Sequence, residues 1–152
     1  MEHFFDGTFV VLYGDVLTNF DLSAMVNLHR KKKAVATLAI FEAANPWEVG
    51  VVEMDQEGRI LGFEEKPQSP VPSPKAPILA SGGVYVLEKQ VLEHIPAQGF
   101  SDFAYDIFPR LIRLGLGLYG YVLSSKDHFI IDIGTWDKYR EANESIGKFK
   151  VN

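Results

Sequence analysis

The chain has 152 residues, of which 47% are hydrophobic and 23% are charged, and its formal net charge at pH 7 is −5. This composition is typical of one globular domain, and it argues against a disordered chain and against the basic surface that nucleic-acid binding requires. The absence of cysteine excludes disulfide bonds, thiolate metal sites and a cysteine nucleophile.

The first part of the chain predicts a strand, a helix and a second strand. An apolar run predicts a strand at residues 9–13. Asp21 is a suitable N-cap for the helix that follows, where apolar residues recur every three or four positions. The helix ends in a basic run at residues 30–33, which the helix dipole favours. Residues 34–41 then predict a buried strand, and such continuous apolar strands are typical of a parallel sheet covered on both faces.

The rest of the chain predicts more strands and helices on either side of a proline-rich loop. The predicted strands lie at residues 49–54, 59–65, 83–87, 118–123 and 128–131, and the first two form a hairpin. The predicted helices lie at residues 88–95, 106–114 and 136–146, and Thr135 caps the last of them. We therefore predict one α/β domain over residues 1–152. Its fold would be a partial doubly wound (Rossmann-like), mostly parallel mixed sheet flanked by helices.

Two aspartates stand where predicted strands end. Asp15 follows the apolar run at residues 9–14, and Asp132 follows the run at residues 129–131. In open α/β sheets, ligands bind outside the carboxyl ends of the strands, where a carboxylate can hold a metal against a bound phosphate. Mg²⁺ usually takes only one or two protein carboxylates, so a pair is sufficient. Gly-Asp after a strand is also common turn chemistry, and the local pattern alone leaves both interpretations open.

Three other short segments also suit a ligand site. Lys66 at a strand end is a compact charge that can meet a phosphate, and the carboxylate of Glu65 beside it can accept hydrogen bonds from hydroxyl groups. The alternative is a charged strand edge that a proline blunts. Gly50 and the run Ser81-Gly82-Gly83 would let the backbone approach a ligand closely, although glycines in strands also mark bulges.

Five short sequence motifs, or sequence words, occur in an order known from one family. They are Gly14-Asp15-Val16-Leu17-Thr18, Gly50-Val51-Val52, Glu65-Lys66-Pro67, Gly82-Gly83-Val84-Tyr85 and Asp132-Ile133-Gly134-Thr135. Together they resemble the sugar-1-phosphate nucleotidyltransferases, or NDP-sugar pyrophosphorylases, over about residues 9–143. Each word is weak evidence alone, but five in order are specific. The resemblance implies an enzyme that transfers a nucleotidyl group from an NTP to a sugar 1-phosphate, giving an NDP-sugar and pyrophosphate.

The resemblance also implies which residues act. Asp15 and Asp132 would hold Mg²⁺, the implied cofactor. Lys66 would contact the sugar phosphate and complete the catalytic set, and Glu65 would accept a hydrogen bond from a sugar hydroxyl.

Four small residues would complete the substrate site. Gly50 would place its backbone against the sugar, and Gly14 and Gly82 would also lie against the substrate. Ser81 stands where the family usually has asparagine, so the hydroxyl contact of that asparagine does not carry over.

One family segment has no counterpart in the sequence. The glycine-rich loop that binds the nucleotide triphosphate, with the strand before it, should precede Phe9, and nothing there resembles it. The resemblance therefore implies a truncated domain that is weakly active or inactive alone. Because the missing strands would leave a sheet edge and apolar faces exposed, we expect self-association or a homo-oligomer. The alternative is a non-catalytic subunit that binds sugar phosphate or serves in regulation or assembly.

Two further expectations concern the substrate and the compartment. The segments Ser81–Tyr85, Phe108-Pro109 and Tyr119-Gly120-Tyr121 favour guanylyl transfer to mannose or heptose 1-phosphate, ahead of thymidylyl and uridylyl transfer. No apolar run approaches the ~18–20 residues that span a bilayer, and the first residues do not resemble a signal peptide. We therefore expect a cytoplasmic protein without a membrane partner.

Overall fold

The computed structural model describes residues 5–68 and 77–147. Within them the strands are β1 (Phe9–Leu12), β2 (Val16–Thr18), β3 (Ala36–Ala43), β4 (Gly50–Met54), β5 (Ile60–Glu65), β6 (Ile78–Leu87), β7 (Leu118–Val122) and β8 (Ile130–Asp132). The α-helices are α1 (Leu22–Lys32), α2 (Phe108–Arg113) and α3 (Trp136–Ile146). Short 3₁₀ turns form at Pro46–Glu48 and Lys89–His94, and a π-helical turn forms at Phe103–Ile107. None of the described helices is long and apolar enough to cross a membrane.

Six strands form a mixed sheet in the order β5-β4-β6-β3-β7, and β1 pairs with the far end of β6. The α/β class and the helix-flanked mixed sheet are confirmed. Strands β1, β3, β4 and β7 run in one direction, but β6 lies between them and is antiparallel to β1, β3 and β4. Among the strands of the described residues, β3 and β7 are the only parallel neighbours. Parallel neighbours need a long crossover, whereas antiparallel neighbours such as β4 and β5 can be joined by a short hairpin.

Strand β3 is buried on both faces, as its continuous apolar sequence predicts. Leu38 and Ile40 pack into one cluster with Phe108 of α2, whereas Ala39 packs on the opposite face with Met25 of α1. This division follows from the two-residue period of strand side chains. Helices α1 and α2 therefore lie on opposite faces of the sheet.

The predicted helix ends agree with the structure in most places. The carboxylate of Asp21 accepts a hydrogen bond from Ser23 N at 2.8 Å and caps α1. Thr135 Oγ1 accepts one from Lys138 N at 3.3 Å at the start of α3. The segment predicted as a helix at 88–95 is a 3₁₀ turn, and β6 begins five residues before the predicted strand at 83–87. Most of the proline-rich loop lies outside the described residues.

A hydrogen-bonded network ties α1 to the sheet far from the aspartates. Glu88 Oε1 accepts a hydrogen bond from Thr8 Oγ1 at 2.6 Å and lies 3.0 Å from His29 Nε2. The other ring nitrogen of His29 is 2.9 Å from Thr37 Oγ1. The bond from Thr8 is the main reason why the pKa of Glu88 lies below its usual value; burial opposes it and His29 adds to it.

This network predicts a dependence of stability on pH. Because the pKa of Glu88 is lower in the folded chain, its stabilising contribution is complete above the ordinary value of 4.5 and is lost as the pH falls below it. We expect the difference in unfolding free energy between wild type and Glu88→Gln to shrink as denaturant titrations are carried from neutral pH into that acidic range. Glu64→Gln on β5, where the side chain is exposed, is the control. A difference that stays constant through acid would contradict the assignment.

Candidate active site

The two aspartates are brought together by pairing between β2 and β8. These strands are antiparallel, and Asp132 pairs with Val16, the residue after Asp15. The carbonyl of Asp15 also accepts a hydrogen bond from Ile133 N at 2.7 Å. Residues that are far apart in the sequence therefore lie side by side, Asp15 directly before β2 and Asp132 as the last residue of β8.

Their carboxylates face one small space above Gly134. A Cβ atom added at Gly134 would lie 3.0 Å from Asp132 Oδ1 and 3.0 Å from Asp15 Oδ2, so the two oxygens are separated by no more than twice that distance. A glycine keeps this space open, because any side chain would enter it. Carboxylate oxygens are the ligands that Mg²⁺ prefers, so the donor set fits such an ion.

The hydrogen bonds of Asp132 favour its charged form. Its Oδ1 accepts a hydrogen bond from Gly134 N at 2.7 Å, and its Oδ2 accepts one from Lys138 Nζ at 2.9 Å. Burial opposes ionisation of Asp132, but these two bonds and the charge of Lys138 outweigh it and lower its pKa. No group of three or more His, Cys, Asp or Glu among the described residues could hold a metal. Phosphate and water oxygens would therefore have to complete the coordination of an ion on this pair.

Glu65 and Lys66 line the same cleft, which has a volume of about 310 Å³. Gly50 pairs with Glu65 across the β4–β5 ladder. A Cβ atom at Gly50 would lie 2.6 Å from Glu65 Oε2 and 2.7 Å from the ring of Phe63. The absence of a side chain at Gly50 thus leaves room for the Glu65 carboxylate and the Phe63 ring, and the backbone contact to a sugar stays a prediction.

Lys66 has an unusual backbone conformation. Its φ angle is 45°, in the left-handed region that residues other than glycine rarely adopt. Its backbone N donates a hydrogen bond to Val49 O at 3.0 Å, and its Nζ lies 4.0 Å from Glu65 Oε1. Such strain is concentrated at functional sites, where it holds a side chain in a required direction.

Burial raises the pKa of two acidic groups in the cleft. Burial is the main cause for Glu65; the charge of Lys66 opposes it and that of Asp102 adds to it. Burial is also the main cause for Tyr13, where a hydrogen bond with Tyr85 opposes it and nearby carboxylates add to it. The site therefore combines a carboxylate pair that favours cations with groups that resist adding further negative charge.

Residues 1–148 match the family model described as nucleotidyl transferase. The chain belongs to this family.

Several relatives show how much of such a protein the chain covers. It is 38% identical over 147 residues to a UTP–glucose-1-phosphate uridylyltransferase of Synechocystis sp., and the match covers 94% of this chain and 36% of that protein. It is 34% identical to a glucose-1-phosphate adenylyltransferase of Desulfitobacterium hafniense, over 90% of this chain and 34% of the relative. It is 35% identical to a mannose-1-phosphate guanylyltransferase of Mycobacterium tuberculosis, over 84% of this chain and 34% of that relative. This nucleotidyl transferase chain thus spans about a third of the length of these relatives.

The cleft is lined by seven of the eight residues predicted for the site. They are Asp15, Gly50, Glu65, Lys66, Ser81, Gly82 and Asp132. Gly14 is the exception: it is exposed and does not line the cleft. Ser81 Oγ is buried and forms no well-aligned hydrogen bond among the described residues. It nevertheless lies close enough to the Tyr85 hydroxyl to lower the pKa of that group, although burial, the main cause, raises it. These seven residues thus lie together, and their roles in a site remain predictions.

Other residues at the cleft were not predicted from the sequence. Tyr13, Glu48, Asp102 and Tyr105 line the cleft, and Lys138 contacts Asp132. Asp102 Oδ1 accepts hydrogen bonds from the backbone N atoms of Ala104 and Tyr105, so it caps the π-helical turn. Capping residues can be found from the sequence, and Asp102 before the predicted helix at 106–114 was such a signal. Nothing in the sequence indicates that Lys138 turns back toward Asp132.

Proposed function

We propose that this chain carries the metal- and sugar-phosphate-binding part of a sugar-1-phosphate nucleotidyltransferase. The observation that carries the proposal is that one cleft is lined by the carboxylates of Asp15 and Asp132 and also by Glu65 and Lys66. The reaction joins an NTP and a sugar 1-phosphate into an NDP-sugar and releases pyrophosphate. A sugar phosphate oxygen forms a bond to the α-phosphorus while the bond from that phosphorus to the bridging oxygen of pyrophosphate breaks.

The chain's own residues act mainly by positioning and by charge. Lys66 binds the phosphate of the sugar 1-phosphate and holds it for in-line attack, and Glu65 accepts a hydrogen bond from a sugar hydroxyl. Asp15 and Asp132 would hold Mg²⁺, which supplies Lewis acidity and neutralises phosphate charge when bound. Little covalent chemistry is required of the protein in phosphoryl transfer, so these contacts account for the proposed contribution of this chain.

The proposal is tested by titrating the chain with mannose 1-phosphate and with glucose 1-phosphate in a calorimeter, with and without Mg²⁺. Binding that requires the metal supports the proposed site. Binding that is independent of the metal favours the alternative of a non-catalytic sugar-phosphate sensor, and no binding at millimolar concentration contradicts both. A pyrophosphate-release assay on the same chain tests the expectation that it is weakly active or inactive alone.

Replacing Lys66 with glycine is expected to separate function from stability. Glycine adopts positive φ angles without the strain that lysine suffers there, so Lys66→Gly should raise the unfolding free energy by up to about 1 kcal/mol. The same change removes the ammonium group that would hold the phosphate. Sugar 1-phosphate binding should therefore weaken by at least about tenfold, the loss expected for a charge-assisted hydrogen bond.

Lys33→Gly provides a matched control. Lys33 has a φ angle of 50° at the end of α1, and it does not line the cleft. It should gain similar stability in denaturant titration and keep wild-type binding. Unchanged binding in Lys66→Gly would remove Lys66 from the phosphate site.

The predicted guanylyl preference forms the finer part of the proposal. Phe108 is fully buried in the core, Tyr119 lies under Lys32 Nζ, and Tyr121 packs beside Phe20. None of these residues lines the cleft, so they offer no contact to a base. The relatives' names refer to uridylyl, adenylyl and guanylyl transfer. Competition among UTP, ATP and GTP in a longer protein that contains both this chain and a nucleotide-binding loop tests the preference.

Self-association through a sheet edge also remains a prediction. Strand β1 pairs with β6 along one edge, and no strand of the described residues pairs with its other edge. Val10 and Leu12 of β1 are exposed at 41% and 58%, which provides apolar surface for an added strand. A single monomeric species in sedimentation at micromolar concentration would contradict it.

A further inference from the structure

We propose that Lys138 is an exchangeable counter-ion of the site: it neutralises Asp132 in the free chain and turns to the ligand's phosphate when a divalent cation binds there. This inference rests on the proposed function, because it requires a cation on Asp15 and Asp132. It assigns a positioning role to a residue that lies outside the five sequence words. Its basis is the geometry and charge around one carboxylate oxygen.

The first step is the direct contact. Lys138 Nζ lies 2.9 Å from Asp132 Oδ2, while Asp132 Oδ1 is already bonded to the backbone N of Gly134. The ammonium therefore occupies the oxygen that no backbone group holds. A cation that binds both aspartates must share Asp132 with this ammonium or displace it.

The second step is the mobility of the ammonium. Lys138 lies in the first turn of α3, and its backbone N is held by Thr135 Oγ1. The side chain of Lys138 is 40% exposed and that of Asp132 is 56% exposed. A lysine has a flexible four-carbon stem and three donors, so the ammonium can leave one oxygen and reach another without any movement of the helix.

The third step is the balance of charge. Lys138 is near the carboxylates of Asp132, Glu48 and Asp15, and Lys66 is also close enough to act on Asp132. In the free chain the ammonium compensates part of this negative charge. Once a divalent cation is bound, the same ammonium is surplus there, and the phosphate of a sugar 1-phosphate is the nearest anion that the proposed function brings into the cleft. Charge-assisted hydrogen bonds to phosphate are among the strongest that a lysine forms.

The test measures Mn²⁺ binding to the complete chain by electron paramagnetic resonance, without any turnover. In the absence of phosphate, Lys138→Met should bind Mn²⁺ about fivefold more tightly than wild type, which is the upper range for loss of a partly exposed ion pair. In saturating Mn²⁺, the same variant should bind mannose 1-phosphate about tenfold more weakly, as measured by calorimetry. A residue with a purely structural role would not shift the two affinities in opposite directions.

Two variants serve as controls. Arg140→Met removes an equal charge from α3, where Arg140 pairs with the exposed Asp137, and it should leave both affinities unchanged. Lys138→Arg keeps the charge and should retain most of the phosphate affinity. The melting temperature of each variant shows that it is folded.

The outcomes separate this inference from the proposed function. If Asp132→Asn lowers the Mn²⁺ affinity of the chain but Lys138→Met does not raise it, the exchange is wrong and the metal site stands. If Lys138→Met weakens the binding of both Mn²⁺ and mannose 1-phosphate, Lys138 has only a structural role and the inference is overturned. If wild type shows no Mn²⁺ binding that depends on Asp132, the proposed metal site and the exchange are both wrong.

Discussion

Asp132→Asn is expected to weaken Mn²⁺ binding to this chain by at least about 100-fold and to remove the metal-dependent binding of sugar 1-phosphate. Mutation of residues that merely orient metal ligands commonly costs 10–100-fold in affinity, so loss of one of two carboxylate ligands should cost at least as much. The amide retains an oxygen that can accept the hydrogen bond from Gly134 N, so the loop after β8 keeps its shape. In any longer protein that contains this chain and turns over substrate, kcat should fall by several orders of magnitude.

Asp137→Asn is the matched control for this change. It removes the same charge five residues away, at an exposed position in the first turn of α3 where the carboxylate pairs with Arg140. Mn²⁺ affinity should then change by less than a factor of about two, because solvent and salt screen an exposed carboxylate that is already paired with Arg140. Near-wild-type Mn²⁺ binding in Asp132→Asn would exclude Asp132 from the metal site.

Phe108→Ala is expected to lower the unfolding free energy by about 3–5 kcal/mol, the usual cost of removing a buried aromatic ring. Phe108 is fully buried, and its ring centroid lies 4.9 Å from that of Tyr85 and 5.5 Å from that of Phe63. Natural domains are stable by only about 5–15 kcal/mol, so this loss is large. Tyr85 and Phe63 also line the cleft, so the cavity left by the ring should weaken sugar phosphate binding as well.

Denaturant titration measures this effect, and two variants bracket it. Phe100→Ala removes the same ring where it is 90% exposed and should change stability by no more than about 0.5 kcal/mol. Phe108→Leu keeps most of the buried volume and should cost clearly less than alanine. Equal losses in Phe108→Ala and Phe100→Ala would show that the aromatic cluster does not support the fold.

Local patterns predicted most individual elements correctly. The cap at Asp21, the helix α1 and the buried strand β3 depend on residues within a few positions of one another, and the structure agrees with all three. Strand β2 was missed, because its three residues are too short for a recognisable period, whereas the equally short β8 overlaps the strand predicted at residues 128–131. The extent of β6 was also missed, because Ser81-Gly82-Gly83 favours a turn or bulge in isolation.

The candidate site shows the same division. The type and order of the site residues could be predicted from the sequence, because Asp15 and Asp132 follow apolar runs and Lys66 stands at the end of a predicted strand. Two details could not be predicted from the sequence: Glu65 fills the space beside Gly50, and Lys138 contacts Asp132. Both depend on side chains that meet only after the strands have paired and α3 has packed.

The sequence by itself determined the α/β class, the charged residues available for chemistry and their order along the chain, since these follow from composition and from short-range periodicity. Only the tertiary structure decided that Asp15 and Asp132 share one space, because the pairing of β2 with β8 joins segments more than a hundred residues apart. It likewise decided that β6 lies antiparallel between β1 and β3. The physical reason is that strand pairing and side-chain packing depend on which surfaces bury one another in the complete fold, and no local pattern encodes that choice.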